Sequence, residues 1–171
     1  MRHNAPMFRT GIGFDIHRFA AGRRLVLGGV VIPHAAGLEG HSDADALCHA
    51  AADALLGAVA DGDIGQHFPN TDPRWKDADS LDLLRQVGQR VRSRGARILN
   101  VDATVLAEAP RIMPHAPAMR ANMAAALGVE VSQVSVKATT AEGLGALGRC
   151  EGIAVMAVAA VQQEPSPSPR P

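Results

Sequence analysis

Apolar positions recur along this chain with a period near two in some stretches and near 3.6 in others, and the switches between them lay out its elements. Phe8 to Phe19 alternates as a strand does, with Gly11 and Gly13 leaving one face bare. Arg24 to Val26, Gly28-Gly29 and Val30 to Ile32 predict a second short strand kinked or bulged at the glycines, followed by a loop from Pro33 to Gly40. His41 to Asp53 opens a helix that ends near Ala60. Ser42 or Asp43 can cap it, and Leu47, Ala51, Ala54, Leu55 and Ala58 fall on one packing face. From Asp61 to Asp79 turn formers dominate and a long loop is expected.

A second helix runs from Leu81 to about Arg94, capped by Asp79 or Ser80 and closed by Gly95. Leu81, Leu84, Val87 and Val91 form its apolar face and its arginines a solvated one. Ile98 to Leu106 is a strand with Val101, Ala103 and Val105 on one face. A third helix follows from about Pro117 to Leu127, closed by Gly128. Val131 to Ala138 makes another strand, and Ile153 to Val161, nearly all apolar, predicts an internal last one. The pieces add up to one α/β domain over residues 8–162: a mixed, mostly four-stranded sheet with helices packed on one face. Residues 1–7 read as a loose N-terminus and 163–171 as a disordered Pro/Ser tail.

Composition narrows the class. Of 171 residues 47% are apolar but only 3% aromatic, so the core must be built from aliphatic side chains and alanine, which favours closely spaced elements. The formal net charge is zero, which lacks the basic footprint of a nucleic-acid binder. No run approaches the roughly 18 apolar residues of a membrane span, and MRHNAPMFRTG has no signal-peptide core, so a cytoplasmic protein off the membrane is expected. Cys48 and Cys150 fit reduced thiols rather than a disulfide framework.

Candidate chemistry gathers first at Asp15 and His17, which share a strand face about 7 Å apart. With His49 they offer one carboxylate and two imidazoles, a set that leaves a fourth tetrahedral position open on zinc. Spacing alone equally allows strand-end polar residues and a half-buried helical histidine. Asp45 and Asp53 lie one turn either side of His49, so either could accept its free ring N–H. Lys137 to Gly145 offers a cation, two hydroxyls and a carboxylate before glycines, which suits a phosphate or a phosphate-bound divalent ion, or else a capping box before a helical turn.

Longer motifs go further. GxGFDIH, GLEGHSDADALCHAAADALLGA, GDIGQHFPNTDP, the ADS helix start, VDATVLAEAPRIMPH, VSVKATTAEGLGALGRCEGIA and the apolar final strand occur in that order over almost the whole chain. In these the sequence resembles the 2-C-methyl-D-erythritol 2,4-cyclodiphosphate synthase family of the non-mevalonate isoprenoid pathway. The resemblance implies a homotrimer with active sites between subunits and a nucleotide substrate, 4-diphosphocytidyl-2-C-methyl-D-erythritol 2-phosphate. The 2-phosphate of that substrate attacks its β-phosphorus and CMP leaves, which by convention makes the enzyme a phosphorus–oxygen lyase.

By position it implies that Asp15, His17 and His49 bind Zn2+, and that Glu142 reaches Mg2+ or Mn2+ held between the phosphates. His41 and Thr140 match the pair that stabilises the transition state, with Ser42 beside His41 at the phosphates. Asp63, Ile64 and Gly65, then Phe68, Pro69, Asn70, Thr71 and Asp72, match the part that holds the erythritol. Ala107, Glu108, Ala109, Pro110, Arg111, Ile112 and Met113, with Thr139, Thr140, Ala141 and Glu142, match the cytidine and phosphate pocket.

Two positions depart from the family pattern. Arg111 stands where Lys is common, which keeps the charge but changes phosphate geometry. Ala146 stands where Phe is frequent, beside a cavity on the trimer axis that the family associates with isoprenoid diphosphates. A wider cavity is expected, with Arg149 still at its border and Glu151 as that residue's partner. The chain has no room for the cytidylyltransferase sometimes fused to this family, so a lone synthase domain is expected. A zinc-dependent phosphohydrolase on the same scaffold and a non-catalytic zinc module are the other readings; the latter needs a fourth ligand, and Cys48, the only nearby candidate, lies about 100° around the helix from His49 and so points elsewhere.

Overall fold

The computed structural model describes residues 6–163; residues 1–5 and 164–171, most of the two predicted loose ends, lie outside the described residues. β1 (Met7–Ala21) is followed by β2 (Leu25–Leu27), β3 (Val30–Ile32) and β4 (Ala36–Leu38), then α1 (Ala46–Ala58) and α2 (Ile64–His67). After a 3₁₀ turn at Pro73–Trp75 come α3 (Ser80–Ser93), β5 (Ala96–Leu106), α4 (Ala116–Leu127), β6 (Val134–Thr139), α5 (Gly145–Gly148) and β7 (Gly152–Gln163).

The main sheet has five strands in the order β4-β1-β7-β5-β6, one more than predicted. Only β5 and β6 run parallel; β7 lies antiparallel between β1 and β5, and its apolar sequence follows from that internal position. The extra strand is β4, inside the segment expected as a loop, paired with the end of β1 through Phe19 and Leu38. Three residues are too few to show a period. The single kinked strand predicted over Arg24 to Ile32 is instead a hairpin: Gly28 and Gly29 both have positive φ (56° and 69°), as a two-residue turn between twisted strands requires.

α1, α3 and α4 pack on one face of the sheet. α1 lies at the centre, against β1 and β7 below and α3 beside it, and Leu47, Leu55 and Leu56 are fully buried. Burial of such side chains contributes about 1.5–3 kcal/mol each. The bare face of β1 is where the helix sits. A Cβ on Gly13 would lie 2.0 Å from the Ala50 carbonyl oxygen, and one on Gly11 2.1 Å from that of Ala54. The other sheet face stays open, with Phe8, Ile12, Phe14, Ile16, Met156 and Val158 exposed. Among the described residues no helix is long and apolar enough to cross a membrane.

Helix ends differ from expectation in instructive ways. Neither Ser42 nor Asp43 caps α1; the cap is Asp45, whose Oδ1 accepts from Leu47 N and Cys48 N. Asp79 caps α3, freeing the Ser80 hydroxyl for other work. The arginines of α3 are not all a solvated face, because Arg90 and Arg94 reach back to the buried Asp61 carboxylate.

Candidate metal centre and substrate cavities

β1 and α1 build the centre between them. Strand alternation turns Asp15 and His17 to the helix side, and the contact of α1 with Gly13 brings His49 beside them. Asp15 Oδ2 lies 2.9 Å from His17 Nε2 and 3.0 Å from His49 Nδ1. The three groups are half-buried, with ligand atoms within 4.8 Å of one another. Of the two readings left open by spacing, this convergence favours a metal site.

Each imidazole is held from behind. His17 Nδ1 donates to the Glu39 carbonyl oxygen at 2.6 Å, so Nε2 turns its lone pair to the cluster. Glu39 directly follows β4, so that short strand sets the orientation of this ring. His49 Nε2 lies 2.9 Å from Ser80 Oγ and 3.2 Å from Ser42 Oγ. The expectation that Asp45 or Asp53 supports His49 fails. Asp45 spends both oxygens on backbone N–H groups, those of α1 and of Gly29, and Asp53 accepts from Ile64 N at 2.7 Å. Buried donors nearer at hand claimed both carboxylates.

The electrostatics suit a cation. Burial opposes charge on Asp15, but hydrogen bonds and charge from His17 and His49 outweigh it and hold the carboxyl well below the usual range. The bond to Asp15 correspondingly raises His17, against the opposing effect of burial. Asp53 is pushed up by burial first, and also by the charges of Asp63 and Asp15. Two imidazole nitrogens and one carboxylate oxygen this close can share a zinc with bonds of about 2.0–2.2 Å. The described residues add no fourth His, Cys, Asp or Glu to the cluster, and Cys48 is buried elsewhere, which removes the basis of the closed zinc module.

Two cavities divide the predicted substrate residues. One of about 300 Å³ lies at the metal cluster, where His41, Ser42, Ile64, Phe68 and Asn70 line it beside His17 and His49. His41 Nε2 there is buried without a hydrogen-bond partner among the described residues. Asp63 caps α2 through Gln66 N, with Gly65 behind it in the helix; Pro69 and Thr71 belong to the adjoining turn, where Asp72 pairs with Arg74.

The other cavity, about 390 Å³, lies where β5 and β6 end, lined by Ala107, Glu108, Pro110, Arg111, Ile112, Met113, Thr139 and Thr140. Glu108 Oε1 accepts from Ala141 N and Gly143 N and so staples the following loop, where Thr140 Oγ1 donates to Glu142 Oε1 at 2.9 Å. Within one chain His41 and Thr140 therefore do not meet. Lys137, grouped with this loop from the sequence, pairs instead with Asp102 on the neighbouring strand.

The YgbB family profile matches residues 8–162. The 2-C-methyl-D-erythritol 2,4-cyclodiphosphate synthase of Syntrophomonas wolfei is 57% identical over 155 residues, 91% of this chain and 99% of its own length. That of Laribacter hongkongensis is 59% identical over 154 residues, 90% of this chain and 95% of its own. The chain belongs to the YgbB family. Among solved structures, the Plasmodium falciparum IspF–CDP complex superposes with a TM-score of 0.81 at 32% identity, covering 92% of this chain and 97% of that one. The bifunctional IspDF of Campylobacter jejuni gives 0.90 at 41% identity over 94% of this chain, which spans only 43% of that longer protein.

Membership in a family of synthases makes the chain an enzyme. The fold agrees with the family resemblance, and Ala146 and Leu147 line a third cavity of about 600 Å³ with Ile16, Phe19 and Cys150. Arg149 pairs with Glu151 as expected. Sequence reasoning missed the groups behind the ligands, Glu39, Ser80 and Asp43, and Trp75 in the cavity wall. One signal was available for Ser80: Asp79 and Ser80 compete for one cap, so one of them is left over.

Proposed function

We propose that the protein converts 4-diphosphocytidyl-2-C-methyl-D-erythritol 2-phosphate to 2-C-methyl-D-erythritol 2,4-cyclodiphosphate and CMP. One P–O bond forms between the 2-phosphate and the β-phosphorus, the bond to the CMP phosphate breaks, and no water is consumed, so the reaction class is that of a phosphorus–oxygen lyase. The observation that carries this reading is the open three-ligand cluster in the floor of a cavity that also holds an unpartnered His41. Asp15, His17 and His49 would hold Zn2+, and Glu142 would meet Mg2+ or Mn2+ with the phosphates. When bound, these cations supply Lewis acidity and offset the phosphate charge that opposes cyclisation.

The chain's own groups have the complementary task of positioning. His41 Nε2 and the Ser42 hydroxyl offer donors to phosphate oxygens, the segment Asp63 to Asp72 walls in the erythritol, and Ala107 to Met113 with Thr139 to Glu142 takes cytidine and its phosphates. The separation of His41 from Thr140 fits a homotrimer in which the second cavity of one subunit faces the metal cluster of the next. The apolar sheet face left open by the helices supports the same assembly. The 600 Å³ cavity beside Ala146 is the candidate for an axial isoprenoid diphosphate site. No nucleic-acid or membrane partner is part of this reading, and the expected setting is the cytoplasm.

Phosphorus NMR of protein, substrate, zinc and magnesium tests it. CMP with a cyclic diphosphate is the expected result; inorganic phosphate would identify a phosphohydrolase, and an unchanged spectrum would refute the activity. His49→Ala should abolish turnover and leave the protein folded, whereas unfolding would make the metal structural.

A further inference from the structure

We propose that Trp75 is a further substrate-binding residue, whose indole N–H donates to an oxygen of the erythritol phosphate part of the bound molecule. This rests on the activity proposed above. Among the described residues two buried side-chain polar atoms lack a hydrogen-bond partner, His41 Nε2 and Trp75 Nε1, and both side chains line the cavity at the metal cluster. Folded proteins rarely leave a buried donor orphaned, because it forfeits its bonds to water. Two such atoms in one cavity wall mark where an acceptor is to come from outside the chain. An indole N–H can only donate, so its partner is an acceptor such as the hydroxyl and phosphate oxygens of that substrate. A phenyl ring here would form the same wall and leave no orphan, so the N–H is what tryptophan adds.

The ring is well placed for this. Trp75 ends the 3₁₀ turn that Asp72 caps, and it meets Phe68 edge-on with ring centroids 5.0 Å apart. The Arg74 guanidinium lies 5.4 Å from the indole centroid, where a cation and an aromatic face attract. Two backbone bonds tie this turn to the His41 segment: Asp77 N donates to the His41 carbonyl oxygen at 2.9 Å, and Asp43 N to that of Ala78 at 3.1 Å. Trp75 also lines a neighbouring cavity of about 330 Å³, walled by His67, Gln86, Gln89 and Arg90. The indole therefore divides two open volumes, and that space lets it tilt and present its N–H to a bound oxygen without moving the metal cluster.

Trp75 is the only tryptophan of the chain, so ¹⁵N-indole labelling yields a single Nε1–H signal to follow. In zinc- and magnesium-loaded protein, saturating 2-C-methyl-D-erythritol 2,4-cyclodiphosphate should move that signal downfield, as a new hydrogen bond does, and CMP alone should leave it in place. Trp75→Phe should raise KM about 2- to 12-fold, the worth of one net hydrogen bond, with kcat little changed because the bond is made equally before and during the reaction. Biosynthetic replacement of the indole by benzothiophene keeps the ring outline and removes only the N–H, so KM should rise by the same factor without any loss of packing. A wild-type KM in the benzothiophene protein would overturn the assignment. So would an indole signal that the cyclodiphosphate leaves in place, or one that CMP moves as far. If wild-type protein forms no cyclodiphosphate but its indole signal still responds to that compound, the activity falls and the binding contact stands.

Discussion

Gly13→Ala tests the link between packing and site most directly, because the position bears on the fold and the metal cluster together. Its added Cβ would lie 2.0 Å from the Ala50 carbonyl oxygen and 2.7 Å from Ala54 N, whereas carbon contacts below 3.0 Å are essentially never seen. The difference, 3.0 − 2.0, means that about 1 Å of separation must open. Both atoms are helix backbone, so no side chain can turn away, and α1 is held from the other side by α3. Overpacking typically costs about 1–3 kcal/mol, and a backbone clash belongs at the upper end. At about 2–4 °C per kcal/mol for a chain of this size, the melting temperature should fall by about 6–12 °C.

The same displacement would draw His49 away from Asp15, two residues from Gly13. Misplacement on this scale costs on the order of 100-fold in turnover, so activity should drop beyond what the unfolded fraction explains. Gly57→Ala is the control within the same interface: its Cβ would sit 3.9 Å from Gly11 Cα, an ordinary contact, and replacing a helical glycine should stabilise by up to about 1 kcal/mol. Scanning calorimetry with steady-state rates reads both variants. Gly13→Ala melting within about 2 °C of wild type, or Gly57→Ala doing equal damage, would refute the close-approach argument.

Zinc uptake should strengthen as pH rises. The proton favoured on His17 by Asp15 must leave before a cation binds, so chelator-competition affinity should climb above the ordinary histidine value and level off only past the raised one. In the metal-free protein the sign reverses: the His17–Asp15 bond contributes stability that is full below about pH 6.5 and lost as pH rises through the raised value, which denaturant melts at several pH values will show. Asp61→Asn should destabilise by about 1–2 kcal/mol, since the buried carboxylate loses its charged bonds to half-exposed Arg90 and Arg94. His67 Nε2 also lies 3.5 Å from the Asp61 carboxylate, so losing that charge should loosen the Ile64 to Asp72 wall and raise KM more than it lowers kcat.

Much of the architecture lay in local pattern. Alternation in β1 placed Asp15 and His17 on one face, the glycines between its apolar residues marked where a helix would come close, and the all-apolar β7 announced its internal position. These are properties of a single element, and periodicity encodes which face of an element is buried. The family motifs added the likeness to a synthase and the candidate roles of residues that no period singles out.

What the tertiary structure decided was competition among partners. Sequence spacing offered Asp45 and Asp53 to His49, yet the N–H groups of Leu47, Cys48, Gly29 and Ile64 took those carboxylates. His49 turned instead to Ser80 and, through it, to Asp43. Likewise β4 became a strand only because the end of β1 had an unpaired edge to offer it, and Glu39 thereby reached His17. A hydrogen bond goes to the nearest unsatisfied group in space, and spatial proximity between distant segments is the quantity that a one-dimensional pattern does not carry.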